Sequence, residues 1–201
     1  MKEIDSKKLD VVYDHYKDSF VCSRNYNKLR ESLFNYVLII IFLQFLQISL
    51  SAQYLELSNA VLQKQIGVNL ALNKELINGF LWFLLFSFSF KYFQANVLVN
   101  RHYHYLHKLE NKIDKIVGEK DFITREGKNY LESYPLFSDW AHTIYTWIFP
   151  FLLLAVASFK MFFCVALDKQ SAFALHVGSF FLLGIYISTI LYLIAIHKNS
   201  D

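Results

Sequence analysis

The chain has 201 residues, 55% of them hydrophobic, with 20 Phe and 13 Tyr against only 6 Gly and 2 Pro, a balance that suits membrane helices and not a soluble domain. Its formal net charge of +3 is too small and too evenly mixed for a nucleic-acid-binding surface. The only two cysteines, Cys22 and Cys164, exclude a disulfide framework and a cysteine metal cluster.

Residues 1–33 are of mixed charge, without Pro or Gly. Leu9, Tyr13, Tyr16, Phe20, Tyr26 and Leu33 recur at spacings near three and four, which predicts an amphipathic helix running unbroken into the first apolar run. That run, residues 34–52 (FNYVLIIIFLQFLQISLSA), begins too late for a cleavable signal peptide. Three more follow at residues 77–99, 142–166 and 173–196. Each is close to the ~20 residues that cross a ~30 Å hydrocarbon layer as a helix. The predicted fold is therefore all-α and polytopic, with four transmembrane helices arranged as two hairpins.

Between the spans, residues 53–76 form a semi-apolar connection interrupted near Gly67, residues 167–172 a short turn, and residues 197–201 a tail. Residues 100–141 begin with a second helical extension. Leu106, Leu109, Ile113, Ile116 and Val117 make a narrow apolar stripe, expected to pack on the N-terminal helix as a stalk and to stop at Gly118. His104, His107, Asn111 and Asp114 are expected on its other side. Tyr130, Tyr134, Phe137 and Trp140 suit the headgroup zone, Ser138 or Asp139 suits a helix cap, and Pro150 predicts a kink in the third span.

Lys and Arg set the orientation. Residues 1–33 carry seven and residues 100–141 another seven, against Lys64 and Lys74 in the first connection and Lys169 in the short turn. The positive-inside rule thus places both termini and the central segment in the cytoplasm, and so separates Cys22 from Cys164.

Arg101 and His107 stand at a spacing that resembles the Arg-x4-6-His signature of HEPN-type ribonucleases, where Arg holds phosphate and His does acid/base work. His104 and His107, with Glu110 or Asp114, offer zinc-ligand spacing. The plainer reading is an anchoring arginine followed by solvated histidines, with no catalytic or metal site and no cofactor.

Polar groups inside the spans carry more meaning, because hydrocarbon penalises them. Ser87, Lys91 and Gln94 form one stripe, Gln44, Gln47 and Ser51 a second, and His176, Ser179 and Tyr186 part of a third. These faces are expected to turn inward, toward each other or a subunit axis, with Lys91 a pore-lining candidate. No Asp or Glu lies in any span, so Lys160 is expected to snorkel toward the outer boundary, and snorkelling toward the inner one is the alternative for Lys91. Ala174, Gly178, Gly184 and Ser188 permit close helix approach.

Four spans in about 200 residues with a helical prefix (VYDHYKDSFVCSRNYNKLRESLF) and a motif-poor body resemble the small membrane components of bacterial antiviral systems. Examples are the Kiwa membrane subunit and the Cas13b-associated membrane accessory proteins. The likeness is one of layout and transfers no functional residue. It implies a homo-oligomer in the bacterial inner membrane that works with a cytosolic protein partner during phage infection. The functional expectation is thus a membrane effector or sensor whose stalk receives a partner and whose spans perturb the bilayer or open a pore. The alternatives are a membrane-bound nuclease or metal-dependent hydrolase at Arg101 and His107, and a small transporter.

Overall fold

The computed structural model describes residues 2–49, 56, 60–61, 63–64, 74–119, 122–123, 140, 143–166 and 171–198. Within these the chain is helical, without a strand, and four helices are long and apolar enough to cross a membrane. They are α1 (Lys2–Ser49), α2 (Lys74–Val117), α3 (Phe149–Ala166, entered through a π-helical turn at Ile144–Ile148) and α4 (Ala172–Lys198). The chain has the architecture of a multi-pass membrane protein. As the unbroken apolar pattern predicts, α1 runs from the charged prefix through the first span without interruption. Most of the connection before α2, Ser138 and Asp139 lie outside the described residues.

The buried positions of α1 and α2 explain the packing. On α1, Val12, Tyr16, Ser23, Leu33, Val37, Ile40, Gln44 and Gln47 are buried, with Ser19, Tyr26 and Arg30 half-buried between them. On α2 the corresponding row is Asn78, Trp82, Leu85, Ser89, Tyr92, Asn96, Val99, Leu106, Glu110 and Ile113. The α1 row steps by four and three residues in alternation, and so does the α2 row apart from one step of seven across the exposed Tyr103. That is a 3.5-residue period, the repeat of a left-handed coiled coil. Counting from Tyr13 misses this phase: Tyr13 is exposed and Val12 takes the inward position.

The chain divides into two compact units. In the first (Met1–Glu31, Gln94–Ile148, Tyr192–Asp201) the start of α1 packs antiparallel on the end of α2. Val12, Tyr16, Leu106, Leu109 and Ile113 form its core, flanked by Leu9, Phe20, Ile116, Val117 and Ile123. The predicted stop at Gly118 is present: its φ of 79° needs a residue without Cβ, its N–H donates to the Asp114 carbonyl at 2.8 Å, and the Asp114 carboxylate accepts the Phe122 N–H at 3.2 Å. In the second unit (Ser32–Phe93, Phe149–Leu191) all four helices pack together, with Phe34, Tyr92 and Phe149 in mutual ring contact.

Pro150 acts through the turn before it. It has no N–H for the carbonyl four residues back, that of Thr146, and the helix widens to π geometry at Ile144–Ile148. Tyr192 of α4 donates its hydroxyl to that carbonyl at 3.3 Å. The start of α4 is capped locally, since the Ser171 hydroxyl accepts the Ala174 N–H at 3.3 Å.

Candidate functional site

Within the four-helix unit the seam is not purely apolar. Gln44 and Gln47 from α1, Asn78, Trp82 and Ser89 from α2 and Lys160 from α3 are all buried. Lys160, expected to snorkel outward, is only 2% exposed. Its ammonium donates to Gln47 Oε1 at 3.1 Å and lies 5.4 Å from the centre of the Trp82 ring. The physical reason is helical phase: Lys160 continues the buried row Leu153, Ala157, Cys164, so its side chain leaves α3 toward the bundle and not toward lipid.

Around this cation, neutral groups do the work of a counter-ion. The Gln47 amide supplies one acceptor, and the Trp82 π-face supplies a diffuse negative surface. The Trp82 Nε1 hydrogen has no acceptor among the described residues. Gln44 donates to the Leu81 carbonyl at 3.4 Å, while its own Oε1 receives no donor among the described residues. Among the described residues the Lys160 amine so placed has one hydrogen-bond acceptor, the Gln47 amide oxygen, so a change in the α1–α3 spacing would alter the partner of a buried polar group.

Gly178 of α4 closes the site from the fourth side. A Cβ there would meet Trp82 Nε1 at 3.2 Å and Met161 Sδ at 3.5 Å, whereas one on Gly79 would meet Val177 at an ordinary 3.7 Å. Gly178→Leu is therefore expected to push the indole off Lys160 and to lower thermal stability by roughly 1–3 kcal/mol, with Gly79→Ala close to neutral. Thermal unfolding of the purified protein checks both. Near the starts of α2 and α4, a cleft of about 370 Å³ is lined mainly by Leu76, Gly79, Phe173, Ala174 and Val177, with Glu75 at its edge accepting the Ser171 N–H.

The first unit holds a second polar line. Asn96 donates to the Tyr192 hydroxyl at 2.6 Å, and Tyr192 passes its own hydrogen to Thr146, all three being buried. Arg30 lies over the Tyr145 ring at 5.3 Å. Farther along the hairpin, Tyr16 donates to the buried Glu110 at 3.0 Å, Asn27 to Tyr103 at 3.0 Å, and His15 shares a 2.6 Å hydrogen bond with Tyr105. These bonds fix the register of α1 on α2, because an apolar seam alone slides more readily than one with specific polar pairs.

Of the polar stripes expected from sequence, the structure buries Gln44 and Gln47 but leaves Lys91 and Gln94 exposed and Ser87 half-buried. The inward polar residues of α2 are Asn78, Ser89 and Asn96. Ser51 lies outside the described residues, and His176, Ser179 and Tyr186 are exposed. Tyr186 shares a 2.7 Å bond with Ser158. On the hairpin stripe, Leu106, Leu109 and Ile113 are buried and Ile116 half-buried.

Arg101 is exposed, and His107 is half-buried with its Nδ1 enclosed and without a partner among the described residues. Six residues on one helix put the two about 120° apart around the axis and about 9 Å along it, so one α2 does not aim both at one ligand. His104 is exposed whereas Glu110 faces the seam on Tyr16. Among the described residues no three His, Cys, Asp or Glu side chains are grouped to hold a metal. Lys160, Trp82 and the Asn96–Tyr192 pair are what the residue pattern missed. A lysine in phase with a buried row was the one local signal available.

No protein family matches the chain, and no curated protein or solved structure is similar to it.

Proposed function

We propose that the chain is a homo-oligomeric membrane effector or sensor, not an enzyme, in which the charged hairpin receives a cytosolic partner and the spans respond by perturbing the bilayer. The observation that carries this reading is the heptad row on α1. It passes in one uninterrupted helix from the hairpin residues Val12 and Tyr16 to Gln47, the group that holds the buried Lys160. A helix without a break transmits rotation or displacement, and a buried amine with one acceptor among the described residues gives such a movement something to change.

The setting is bacterial antiviral defence at the inner membrane, supported by the likeness of layout, with both termini in the cytoplasm as the Lys and Arg distribution favours. Reporter fusions test the orientation. A fluorescent protein after Asp201 is expected to fluoresce and a periplasm-dependent phosphatase at the same place to stay inactive; the opposite pair overturns the topology.

Proteoliposomes test the activity. Dye release is expected from the wild type, with altered ion preference in Lys91→Leu, since Lys91 projects from the single chain where another copy or an aqueous path would meet it. Tight vesicles with both proteins overturn the pore form. In phage-challenged bacteria carrying the neighbouring genes, protection is expected to survive Arg101→Ala with His107→Ala and to be lost with Leu109→Asp and Ile113→Asp. The reverse pattern would return the hydrolase reading.

A further inference from the structure

The outward sides of the hairpin carry opposite charge. On α2, Lys108, Lys112 and Lys115 are all exposed and each follows a seam residue (Leu106, Glu110, Ile113) by two positions, which places them about 200° around the helix from the packed face. The two carboxylates of this stretch are directed elsewhere, Glu110 to Tyr16 and Asp114 to the Phe122 N–H. The back of α2 from Lys108 to Lys115 is therefore a basic strip, and the next exposed charge along it, Glu119, follows the end of the helix.

On α1, Asp10, Asp14 and Asp18 are exposed at i, i+4 and i+8, two positions from Val12 and Tyr16, and so also on the back. Asp14 is 2.7 Å from Lys17, an exposed pair in which the carboxylate raises the lysine pKa; Asp10 and Asp18 complete the acidic strip.

The Tyr16–Glu110 bond sets the two strips at one level. In an antiparallel pair with that register, Asp18 stands opposite residue 108, Asp14 opposite 112 and Asp10 close to 115. Chains inserted in one membrane share an orientation, so a neighbour presents its acidic back at the height of the first chain's basic back, with no shift along the axis.

Resting on the oligomeric reading above, we infer that copies of this chain associate head to tail through these strips, the Lys108–Lys112–Lys115 side of one copy lying along the Asp10–Asp14–Asp18 side of the next. Lipid phosphate is the poorer occupant. The apolar part of α2 ends near Val99, and nine to sixteen further residues put the three lysines about 14–24 Å beyond it, past the headgroups. A contact between two different faces leaves one of each free at every end, so copies that share a membrane normal add side by side and close into a ring only where each step turns about that axis.

The test uses the full chain in lipid nanodiscs, with assembly size read by mass photometry. Lys108→Glu/Lys112→Glu/Lys115→Glu has two acidic backs and Asp10→Lys/Asp14→Lys/Asp18→Lys two basic ones. Each alone is expected to be monomeric, and a mixture of the two to reassemble. Wild type that is itself monomeric overturns the oligomeric reading. Wild type that is oligomeric and unchanged by either reversal overturns this interface and leaves that reading standing.

A milder pair guards against misfolding. With Cys22→Ser and Cys164→Ser, the double change Asp14→Cys and Lys112→Cys is expected to give a ladder of oxidised multimers. The two positions of one hairpin lie on opposite sides, about 20 Å apart, too far for a bond within the chain. No ladder from an oligomeric sample overturns the inference.

Discussion

Gln47→Leu is expected to destabilise the protein more than Lys160→Met, and the two changes together to restore most of the loss. The Gln47 amide oxygen is the hydrogen-bond acceptor of a cation that is almost wholly enclosed. Removing it leaves the amine with the Trp82 ring at 5.4 Å and, among the described residues, no hydrogen-bond acceptor. Stranding one member of a buried charge contact costs on the order of 3 kcal/mol. In a chain of this size that lowers a thermal midpoint by roughly 10 °C. Lys160→Met removes charge while nearly keeping volume, a change that is neutral or stabilising when the polar contact it replaces is buried. The amide left behind in that variant stays polar, which is why the double variant is expected to match or exceed it. Thermal unfolding of the four proteins, read as a double-mutant cycle, checks the claim. Gln47→Leu at wild-type stability would mean that Lys160 finds another acceptor.

Helix number and extent were legible because they depend on hydropathy and on breakers. The four apolar runs, the continuity of α1 and the stop at Gly118 follow from side chains whose local preference and tertiary role agree. Which face of each helix packs was much less legible. In hydrocarbon, both the lipid-facing and the packed sides of a helix are apolar, so the contrast that reveals a soluble helix's core is missing. Polar residues then become the only guide, and on α2 they divide: Lys91 and Gln94 are exposed on the single chain while Asn78, Ser89 and Asn96 face inward. Phe90 and Phe83, exposed, are no less apolar than Leu85, buried. The Lys160–Gln47 contact joins residues 113 positions apart, and no local pattern encodes such a pair. In the hairpin, where water restores the contrast, Leu106, Leu109 and Ile113 were readable as the packing stripe, while the one-residue phase between Val12 and Tyr13, the buried Glu110 and the half-buried His107 were not.

The hairpin is also where a single apolar truncation is expected to act most sharply on coupling. Ile113 is fully enclosed in a five-residue core shared by just two helices, and Ile113→Ala removes roughly 2–5 kcal/mol of packing from it. Among the described residues this core is small, and its neighbours Leu9, Phe20, Ile116, Val117 and Ile123 are only partly covered. Amide hydrogen exchange is expected to accelerate over residues 9–20 and 104–117 and to stay slow over 36–47 and 80–92, where α1 and α2 pack within the four-helix unit. Tyr13→Ala, altering an exposed ring on the same helix, serves as the control and leaves both stretches protected. Tyr16→Phe falls between them, because it keeps the ring in the core and deletes only the donor to Glu110. If exchange rises equally over 36–47, the hairpin and the spans unfold as one, and a separately responsive input element does not exist. If it rises over the hairpin alone, the element that receives a signal is softer than the one that holds Lys160, the order of stabilities that a membrane relay requires.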